Sequence, residues 1–383
     1  MHICLVSEEF PIETQKGGIA TYQYIMAKTL FELGHVVHVI CKTHCKTDRV
    51  EVHEGITLHY VSYSSMGTDY ERNVIYRKKV CQQMKELEDQ IDIFEVADWG
   101  AESHYYLPIR KKPVVIKLHT PYFVWNEYNN TKSSKKNKML QKHEIEDILK
   151  CDNIYSCSHS LANIVNETIP NLNTVIKVIN NPVFINELII SKDIIKEKHI
   201  LYIGSLEQRK GVLKLAKELN FFFRDVTDYK VIFTGADSNR NEFGISTKRM
   251  IENIVDVEHH DKIIFTGQLP HKEITSLLEK ATVSIFPSLY ENFPYVLLES
   301  INEECLNIGS ENGGMAEIID ENSGLLCNPY IMGDICKKLK EAITMGNEER
   351  LKLTKTAKSH LIQFERFTIA EKTVEFYKTT LKK

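Results

Sequence analysis

Two carboxylates eight positions apart, Glu291 and Glu299, enclose the segment of this chain with the clearest chemistry. Pro294 lies between them and suits the first turn of a helix, where a backbone N–H would have no partner in any case. Apolar residues then recur at helical spacing as far as Ile301. The pattern therefore predicts that Glu291 lies in a loop before the helix and Glu299 in its second turn.

The distance along this helix indicates a class of ligand. At 1.5 Å per residue, the five steps from Pro294 to Glu299 span roughly 7–8 Å, about the reach of a diphosphate. The free backbone N–H groups of a helix start favour an anion. A ligand with hydroxyls at both ends and phosphates in the middle fits this layout, and a nucleotide-sugar has that form.

A second segment, Gly204–Gly211, runs from a predicted strand into a predicted helix. A loop in this place brings its backbone close to an anion at the helix start. Arg209 and Lys210 add fixed positive charge that would stabilise a departing nucleotide diphosphate. A solvated basic pair in a loop is the alternative interpretation of this segment.

Two features of the N-terminal half are candidates for the same site. Gly17 and Gly18 separate a strand from a helix, where they permit close backbone approach to a ligand or only serve the turn. They do not form the G-x-G-x-x-G pattern, so the nicotinamide fingerprint is absent there. His119 follows a strand at its carboxyl end, where open α/β sheets bind ligands, although a lone histidine is often structural.

Composition excludes several classes of protein. Net charge is −4, which gives no electrostatic support for nucleic-acid binding. The N-terminus has no signal-peptide pattern and no apolar stretch approaches 18 residues, so we expect a cytoplasmic protein with its nine cysteines reduced. The basic run 132–138 is interpreted as a solvated loop, with contact to the inner face of an anionic membrane or to an acidic acceptor as the alternatives.

Metal chemistry finds little support in the sequence, so we expect neither a metal nor another cofactor. No two aspartates are spaced i, i+2, and the metal-diphosphate clamp of the other major sugar-transferase architecture is therefore absent. The histidines and cysteines between His35 and Cys45 fall on or beside a strand, without a spacing that would converge them on zinc. His259 is interpreted as part of a surface turn.

Short β-branched runs alternate with amphipathic helical stretches along the chain, which favours parallel sheets covered by helices. Strong turn residues around Pro182 and a polar stretch to Lys198 interrupt this pattern, which then restarts. Two similar α/β halves follow. The predicted strands are 3–6, 36–40, 57–61, 91–96, 114–118, 154–157, 175–179, 200–203, 230–234, 263–266 and 283–286, and the helices 19–33, 212–223, 242–255, 270–280, 348–363 and 368–380.

These residues resemble the retaining glycosyltransferases of family 4. The E-x7-E motif corresponds to Glu291 and Glu299, and the G-x-L-x3-K-G motif to residues 204–211. The remaining motifs are the glycine loop at 17–18, the first-domain histidine at 119, G-G-x-x-E at 313–317 and N-G-L-L at 322–326 with one inserted serine. The resemblance covers nearly the whole chain.

The resemblance implies the GT-B fold, in which two Rossmann-like α/β domains have parallel sheets facing a central cleft. Residues 1–182 would form the acceptor domain, residues 183–365 the donor domain, and residues 366–383 a terminal helix packing back on the first. Glu291 and His119 are the implied catalytic residues. The implied donor-binding residues are Gly17, Gly18, Ser205, Arg209, Lys210, Asn292, Phe293, Pro294, Tyr295, Val296 and Glu299.

Three departures from the family pattern stand close to these motifs. Ser205 replaces a usual arginine, for which Arg209 would compensate. Asn292 replaces a glycine, and asparagine tolerates a positive φ. The family's small-x-Gly-x-Pro-Val stretch is Asn302–Asn307 here, without a change of length, so the local geometry beside the donor site is open.

The leading hypothesis is a retaining transferase that moves a hexose or N-acetylhexosamine from a nucleoside-diphosphate sugar, with UDP expected. The acceptor would be a glycan, a lipid-linked molecule or a small molecule. Two alternatives stay open: a noncatalytic sugar-nucleotide-binding homologue or partner subunit, and a UDP-sugar epimerase on the same fold. Tyr122, Phe123, Trp125 and Tyr128 would form a stacking wall for the acceptor or belong to a core.

Overall fold

A computed structural model describes residues 1–14, 17–185 and 196–382. The chain divides into two compact units. The first unit comprises Met1–Val124, Ser133–Phe184 and Phe364–Lys383, and the second comprises Trp125–Lys132 and Ile185–Gln363. Most of the polar stretch predicted between residues 183 and 198 lies outside the described residues.

Strands and helices alternate through both units, as the hydrophobic patterns predict. The strands are β1 (His2–Val6), β2 (Val36–Thr43), β3 (Arg49–His53), β4 (Ile56–Ser62), β5 (Ile93–Ala97), β6 (Val114–Leu118), β7 (Ile154–Ser156), β8 (Lys177–Val178), β9 (Glu197–Ile203), β10 (Lys230–Thr234), β11 (Ile263–Gly267), β12 (Ala281–Phe286), β13 (Asn307–Ser310) and β14 (Leu325–Cys327). The helices are α1 (Gly18–Glu32), α2 (Asp69–Leu87), α3 (Tyr122–Asn129), α4 (Lys135–Lys150), α5 (His159–Thr168), α6 (Val212–Asp225), α7 (Thr247–Ile254), α8 (His271–Lys280), α9 (Tyr295–Asn302), α10 (Asp334–Thr344), α11 (Asn347–His360) and α12 (Arg366–Leu381).

The sheet of the first unit has the order β3-β4-β2-β1-β5-β6-β7-β8. All neighbours are parallel except β3 and β4, so the prediction of a purely parallel sheet is wrong at this edge. Glu54 and Gly55, both with positive φ, form the two-residue turn between these strands, and such a turn can only join antiparallel neighbours. Strands β2 and β4 follow on one side of β1, whereas β5 and β6 follow on its other side. This point between β1 and β5 is the switch point of the sheet, where open α/β sheets bind ligands.

The sheet of the second unit has the order β11-β10-β9-β12-β13-β14, and all its neighbours are parallel. Its switch point lies between β9 and β12. The loop after β9 carries Gly204–Gly211, and the loop after β12 carries Glu291. Because the carboxyl ends of parallel strands meet at one edge, this topology brings the two motifs of the sequence together.

Helix α12 belongs to the core of the first unit, although it follows the whole second unit in the chain. It packs against α1, and its Tyr377 hydroxyl donates to the buried Glu95 carboxylate on β5. Tyr155 on β7 donates to the same carboxylate, and Tyr22 on α1 donates at 2.9 Å. Burial raises the pKa of Glu95, and these hydroxyls oppose the shift by stabilising the charged form.

Two polar segments differ from their predicted form. The helix predicted over 242–255 is limited to α7, because Asn241 Oδ1 accepts the N–H of Gly244 at 2.9 Å and holds a turn before the Ser246 cap. The basic run 132–138 is not a solvated loop throughout. Ser134 caps α4 by accepting the N–H of Asn137, so the lysines from 135 onward lie in a helix.

Nothing in the described part of the chain is a helix that combines the length and apolarity needed to cross a bilayer. Lys136 in the basic run pairs with Asp69 at 2.9 Å, and Lys135 lies over the Tyr70 ring at 4.8 Å. These lysines thus have partners within the first unit. Contact of this run with a membrane stays a prediction.

The atypical stretch Asn302–Asn307 keeps the strand geometry beside α9. Asn307 pairs in register with Ser284 of β12, and the Ser284 hydroxyl donates to Asn307 Oδ1 at 2.6 Å. Ser300 of α9 lies 2.7 Å from the same hydroxyl, and Asn307 Nδ2 donates to Cys305 O at 2.8 Å. A hydrogen-bonded buried polar cluster therefore holds Asn307, which stands at the position of the family's valine.

The replacement places backbone strain at Glu304, which has a φ of +52° at the position of the family's glycine. A non-glycine residue in the left-handed region destabilises the folded state by about 1–2 kcal/mol. A glycine there removes this strain, but its larger conformational entropy in the unfolded chain offsets part of the gain in stability. We expect Glu304→Gly to raise the free energy of unfolding by about 0.5–1 kcal/mol and the Tm by about 1–3 °C, measured by thermal unfolding.

The neighbouring Glu303 provides the matched control, because its φ is −88°. Glu303→Gly should lower the Tm, because it raises the conformational entropy of the unfolded chain and relieves no strain in the folded state. A Tm for Glu304→Gly at or below that of Glu303→Gly would contradict the assignment of strain to Glu304.

Candidate donor-binding site

Glu291 is the centre of the site in the second unit. It lies between β12 and α9, and its buried carboxylate binds both the Arg209 guanidinium and the Lys210 ammonium. Arg209 also donates to the Tyr290 carbonyl oxygen at 3.1 Å. Arg209 and Lys210 thus pack against the E-x7-E segment, and the interpretation of these two residues as a solvated pair is wrong. Their contact with a donor diphosphate stays a prediction.

The pKa shifts of Glu291 and Arg209 both favour the charged form of the side chain. Burial opposes ionisation of Glu291, but the positive charges of Arg209 and Lys210 outweigh it and hold the pKa of this carboxyl below its ordinary value. Burial likewise opposes the charge on Arg209, and the carboxylates of Glu291 and Glu207 raise its pKa despite it. The site therefore contains a buried cation, Arg209, and a half-buried one, Lys210, and carboxylates of the protein balance their charge.

Glu207 is a residue of this site that the sequence interpretation missed. Its buried carboxylate accepts from Arg209 Nη2 at 2.9 Å and lies 3.4 Å from Arg240 Nη1. Arg209 is therefore held between two carboxylates, Glu207 and Glu291. Glu207 stands inside the Gly204–Gly211 motif, so the sequence offered its position but not the direction of its side chain.

Asn129, near the end of α3, is a second residue that the sequence did not indicate. Its buried Oδ1 accepts the backbone N–H of Arg209 at 3.1 Å, although 80 residues separate them. Next to it, the Tyr128 ring stacks on Tyr290 with centroids 4.8 Å apart. Tyr128 therefore supports the loop that carries Glu291, while Tyr122 and Phe123 are buried in the first unit.

Two motif glycines permit close approach of the loops. Gly211 has a φ of +72°, and a Cβ there would lie 1.7 Å from the Pro287 carbonyl oxygen. Gly313 has a φ of +91°, and a Cβ there would lie 2.2 Å from the Glu291 carbonyl oxygen. The N–H of Gly314 donates to that same oxygen at 2.7 Å. Side chains at 211 and 313 would force apart the loops that hold the site.

The helix after Glu291 begins one residue later than predicted. Pro294 is the N-cap of α9 with extended ψ, because its fixed φ suits a cap as well as a first turn. Asn292 does not have the positive φ expected of it: among the described residues the non-glycine positions with positive φ are Glu54, Ala101, Asn130 and Glu304.

Glu299 lies in the second turn of α9, as predicted. Burial raises the pKa of its carboxyl, His271 opposes the shift, and the Glu303 charge adds to it. Phe293, Pro294 and Tyr295 are buried beside the helix start, as is Asn292, and Val296 is half-buried. Ser205 is half-buried in the loop after β9, and its carbonyl oxygen accepts the Tyr202 hydroxyl at 2.9 Å.

The first unit contains the other predicted site residues. Gly17 caps α1 and Gly18 is its exposed first residue, at the carboxyl end of β1. His119 follows β6 and is buried, with its ring edge-on to Tyr22 at 4.9 Å. Burial, reinforced by the Lys117 charge, holds the pKa of His119 well below its ordinary value, so the imidazole is neutral at pH 7.

Asp98, after β5, orients the backbone at His119. Its Oδ1 accepts the His119 N–H at 2.9 Å. Burial raises the pKa of Asp98 to about 7, while backbone N–H groups at His119, Trp99 and Thr120 lower it. No sequence motif indicated this residue. The catalytic role of His119 and the donor contacts of Gly17 and Gly18 stay predictions.

One cluster of potential metal ligands lies outside these residues. Within the described ranges, one ligand atom each of Asp256, Glu258 and His259 lies within 4.8 Å of the others, and the residues His35–Cys45 form no such group. His259 is buried against Phe223, so its interpretation as part of a surface turn is wrong.

Comparison with curated proteins shows sugar transferases. One relative, a human protein named as part of phosphatidylinositol N-acetylglucosaminyltransferase, is 21% identical over 89% of this chain and 68% of its own length. An undecaprenol-diphosphate-linked glycan α-1,4-N-acetyl-D-galactosaminyltransferase of Campylobacter jejuni is 29% identical over 50% of this chain. The match spans about half the length of the Campylobacter protein, 51%.

Solved structures show the same fold. Sucrose-phosphate synthase of Thermosynechococcus elongatus has a TM-score of 0.77 at 17% identity, covering 98% of both chains. An E. coli structure described as trehalose-6-phosphate with bound UDP-2-fluoro glucose has a TM-score of 0.75 at 12% identity, covering 99% of both. These likenesses confirm the GT-B fold predicted from the sequence.

Family models match the chain in both halves. The model for Glycosyltransferase Family 4 matches residues 16–187, and the model for Glycosyl transferases group 1 matches residues 186–360. Together they span nearly all of the chain, in the order that the sequence motifs predict. The chain belongs to the group 1, family 4 glycosyltransferases and has their GT-B fold.

Proposed function

We propose that this protein is a retaining glycosyltransferase that moves a hexose or N-acetylhexosamine from a UDP-sugar to an acceptor hydroxyl. The observation that carries the proposal is the position of Arg209 and Lys210 on the Glu291 carboxylate, at the switch point of the second sheet. Cations beside a helix start suit a diphosphate, and a carboxylate beside them suits sugar hydroxyls.

The proposed chemistry follows from these charges. The bond between the anomeric carbon and the donor diphosphate breaks, and a new bond forms from that carbon to the acceptor oxygen on the same face. The acceptor proton goes to the departing phosphate, so no protein base is needed. Arg209 and Lys210 stabilise the charge that grows on the diphosphate, the kind of preorganised electrostatic effect that contributes most in many enzymes. Glu291 would orient the sugar, Glu299 the ribose, and neutral His119 a sugar hydroxyl.

The proposal requires no metal or other cofactor. In metal-dependent sugar transferases a divalent ion neutralises the diphosphate, and here two protein cations would take that role. Donor transfer that is unchanged by EDTA and by added Mg²⁺ or Mn²⁺ is the expected result. A requirement for a divalent ion would contradict this part of the proposal.

For the acceptor, the relatives favour a glycan or a lipid-linked molecule. One relative is named for phosphatidylinositol and another for an undecaprenol-diphosphate glycan. We propose an acceptor of this class, with the protein acting in the cytoplasm at the inner face of a membrane. Small-molecule acceptors are the alternative, and no nucleic acid is expected as a partner.

The test combines donor binding with product analysis. Calorimetry with UDP, UDP-glucose and UDP-N-acetylglucosamine establishes the donor, and mass spectrometry of an acceptor panel detects transfer. NMR of the new anomeric linkage should show the configuration of the donor. Absence of binding to any nucleoside diphosphate would refute the proposal.

Two other results would favour the alternatives. Donor binding without transfer or hydrolysis would indicate a noncatalytic homologue or a partner subunit, and the human relative is itself named as one part of a transferase. Conversion of a UDP-sugar in the absence of an acceptor would indicate an epimerase. NMR of the nucleotide-sugar alone separates this case from transfer.

A further inference from the structure

A groove of about 470 Å³ lies in the second unit between α6 and the segment after β14. Three consecutive apolar side chains of that segment are exposed: Tyr330 by 55%, Ile331 by 59% and Met332 by 86%. Phe221 of α6 lines the same groove and is 46% exposed. A contiguous group of exposed large apolar residues indicates a surface that binds something.

Basic side chains border these four residues. Lys214, Lys217 and Arg224 line the groove from α6, and their spacing places them with Phe221 on one stripe of the helix. We call these seven residues the apolar–basic patch. Lys214 lies 5.8 Å from the centre of the Tyr330 ring, which joins the basic and apolar parts.

Of the two acidic residues of the groove, one is bound inside the fold and the other pairs with one of the three cations. Glu218 is buried and accepts the backbone N–H groups of Gly333 at 2.8 Å and Cys336 at 3.4 Å. Asp256 lies 4.0 Å from Arg224. The border of the groove therefore has three cations against one exposed carboxylate, and its centre is apolar.

We propose that the apolar–basic patch docks this protein onto an anionic lipid surface. The side chains of Ile331, Met332 and Phe221 would enter the headgroup region of the membrane. Tyr330 would lie at the same depth, because its ring is apolar and its hydroxyl is polar. Lys214, Lys217 and Arg224 would meet anionic headgroups. Four apolar side chains are few for a protein partner, since a standard interface involves roughly 20–30 residues on each side.

The patch also reaches the donor-binding loop within the second unit. The Tyr330 hydroxyl lies 3.5 Å from the Leu289 carbonyl oxygen, and the Leu289 N–H donates to the Arg209 carbonyl oxygen at 2.8 Å. Docking through this patch would therefore hold the loop that carries Arg209 and Glu291 near the lipid surface. The purpose of docking, access to a lipid-linked acceptor, rests on the proposed function, whereas lipid binding itself can be measured without it.

The test is co-sedimentation of the full chain with vesicles of phosphatidylcholine alone and of phosphatidylcholine with one third phosphatidylglycerol. We expect binding to the anionic vesicles, weakened by raising the salt from 50 to 300 mM, and little binding to the neutral ones. The double substitution Ile331→Ser and Met332→Ser should weaken binding more than tenfold, because it removes two side chains that enter the interface. Lys217→Gln with Arg224→Gln should weaken it about tenfold at low salt.

Met66→Ser is the matched control, because Met66 is 80% exposed in the first unit. Equal vesicle binding by the Ile331/Met332 double variant and the wild type, or no binding by the wild type, would overturn the proposal. Sedimentation velocity that shows a dimer broken by the same double substitution would assign the patch to a second copy of the chain instead. UDP binding measured on the same samples keeps the two questions apart, since each result can fail while the other holds.

Discussion

Replacing Lys210 with alanine should weaken UDP binding and lower kcat/KM for sugar transfer by about 10²–10³-fold, the usual effect of removing one preorganised electrostatic group. Lys210 is half-buried, and its ammonium lies on the Glu291 carboxylate at the switch point of the second sheet. A cation held there loses little side-chain entropy when a diphosphate binds. Its removal should therefore weaken both the binding of the diphosphate and the stabilisation of the transition state. Arg209 alone would still face the diphosphate, which is why residual activity should persist.

Calorimetry with UDP and steady-state transfer kinetics measure the two effects of Lys210→Ala. The fold should survive, since Arg209 continues to pair with Glu291. Lys272→Ala is the matched control, because Lys272 is exposed on α8. A Kd for UDP that is the same in Lys210→Ala as in the control would show that the diphosphate binds elsewhere.

Glu291→Gln should separate donor binding from chemistry. We expect kcat for transfer to fall by about 10²–10³-fold, because the amide cannot supply the negative charge facing the developing positive charge on the sugar. Binding of UDP should be unchanged or tighter. In the wild type the Glu291 carboxylate pairs with both Arg209 and Lys210, and the substitution leaves more of their positive charge available to the diphosphate.

The measurement pairs UDP calorimetry with single-turnover transfer, and Glu321→Gln, at an exposed position, is the control. A fall in UDP affinity that matches the fall in turnover would give Glu291 a different role, that of holding the two cations in place. Thermal unfolding completes the set. A Tm lowered by more than a few degrees would indicate that loss of the Glu291 charge beside the two cations disturbs the fold.

The sequence predicted those elements whose patterns are local. Strands β6 and β10 have the predicted bounds, because each is a buried β-branched run closed by turn residues. Strand β13 was missed, since its residues Asn307–Ser310 include a buried polar cluster in place of an apolar run. Strand β3 was missed for a different reason: it is a short edge strand whose two valines, Val50 and Val52, are exposed instead of facing the core.

The site was predictable as a set of motifs but not as a network. Spacing places Glu291 before a helix and Arg209 before another, and strand order then brings both to one edge. The direction of the Glu207 side chain and the contact from Asn129 depend on loops that are remote in the chain. Local patterns do not contain this information, because the partners are selected only when the loops pack.

The position of α12 has a consequence for how the protein is made. Tyr377 closes the buried Glu95 cluster of the first unit, yet α12 is translated after every residue of the second unit. On the ribosome, domains generally fold as they emerge, starting from the N-terminus. Here the Glu95 carboxylate lacks its Tyr377 partner, and α1 lacks the helix that packs on it, until the second unit has been synthesised. The order of completion during synthesis is therefore the reverse of the order in the sequence.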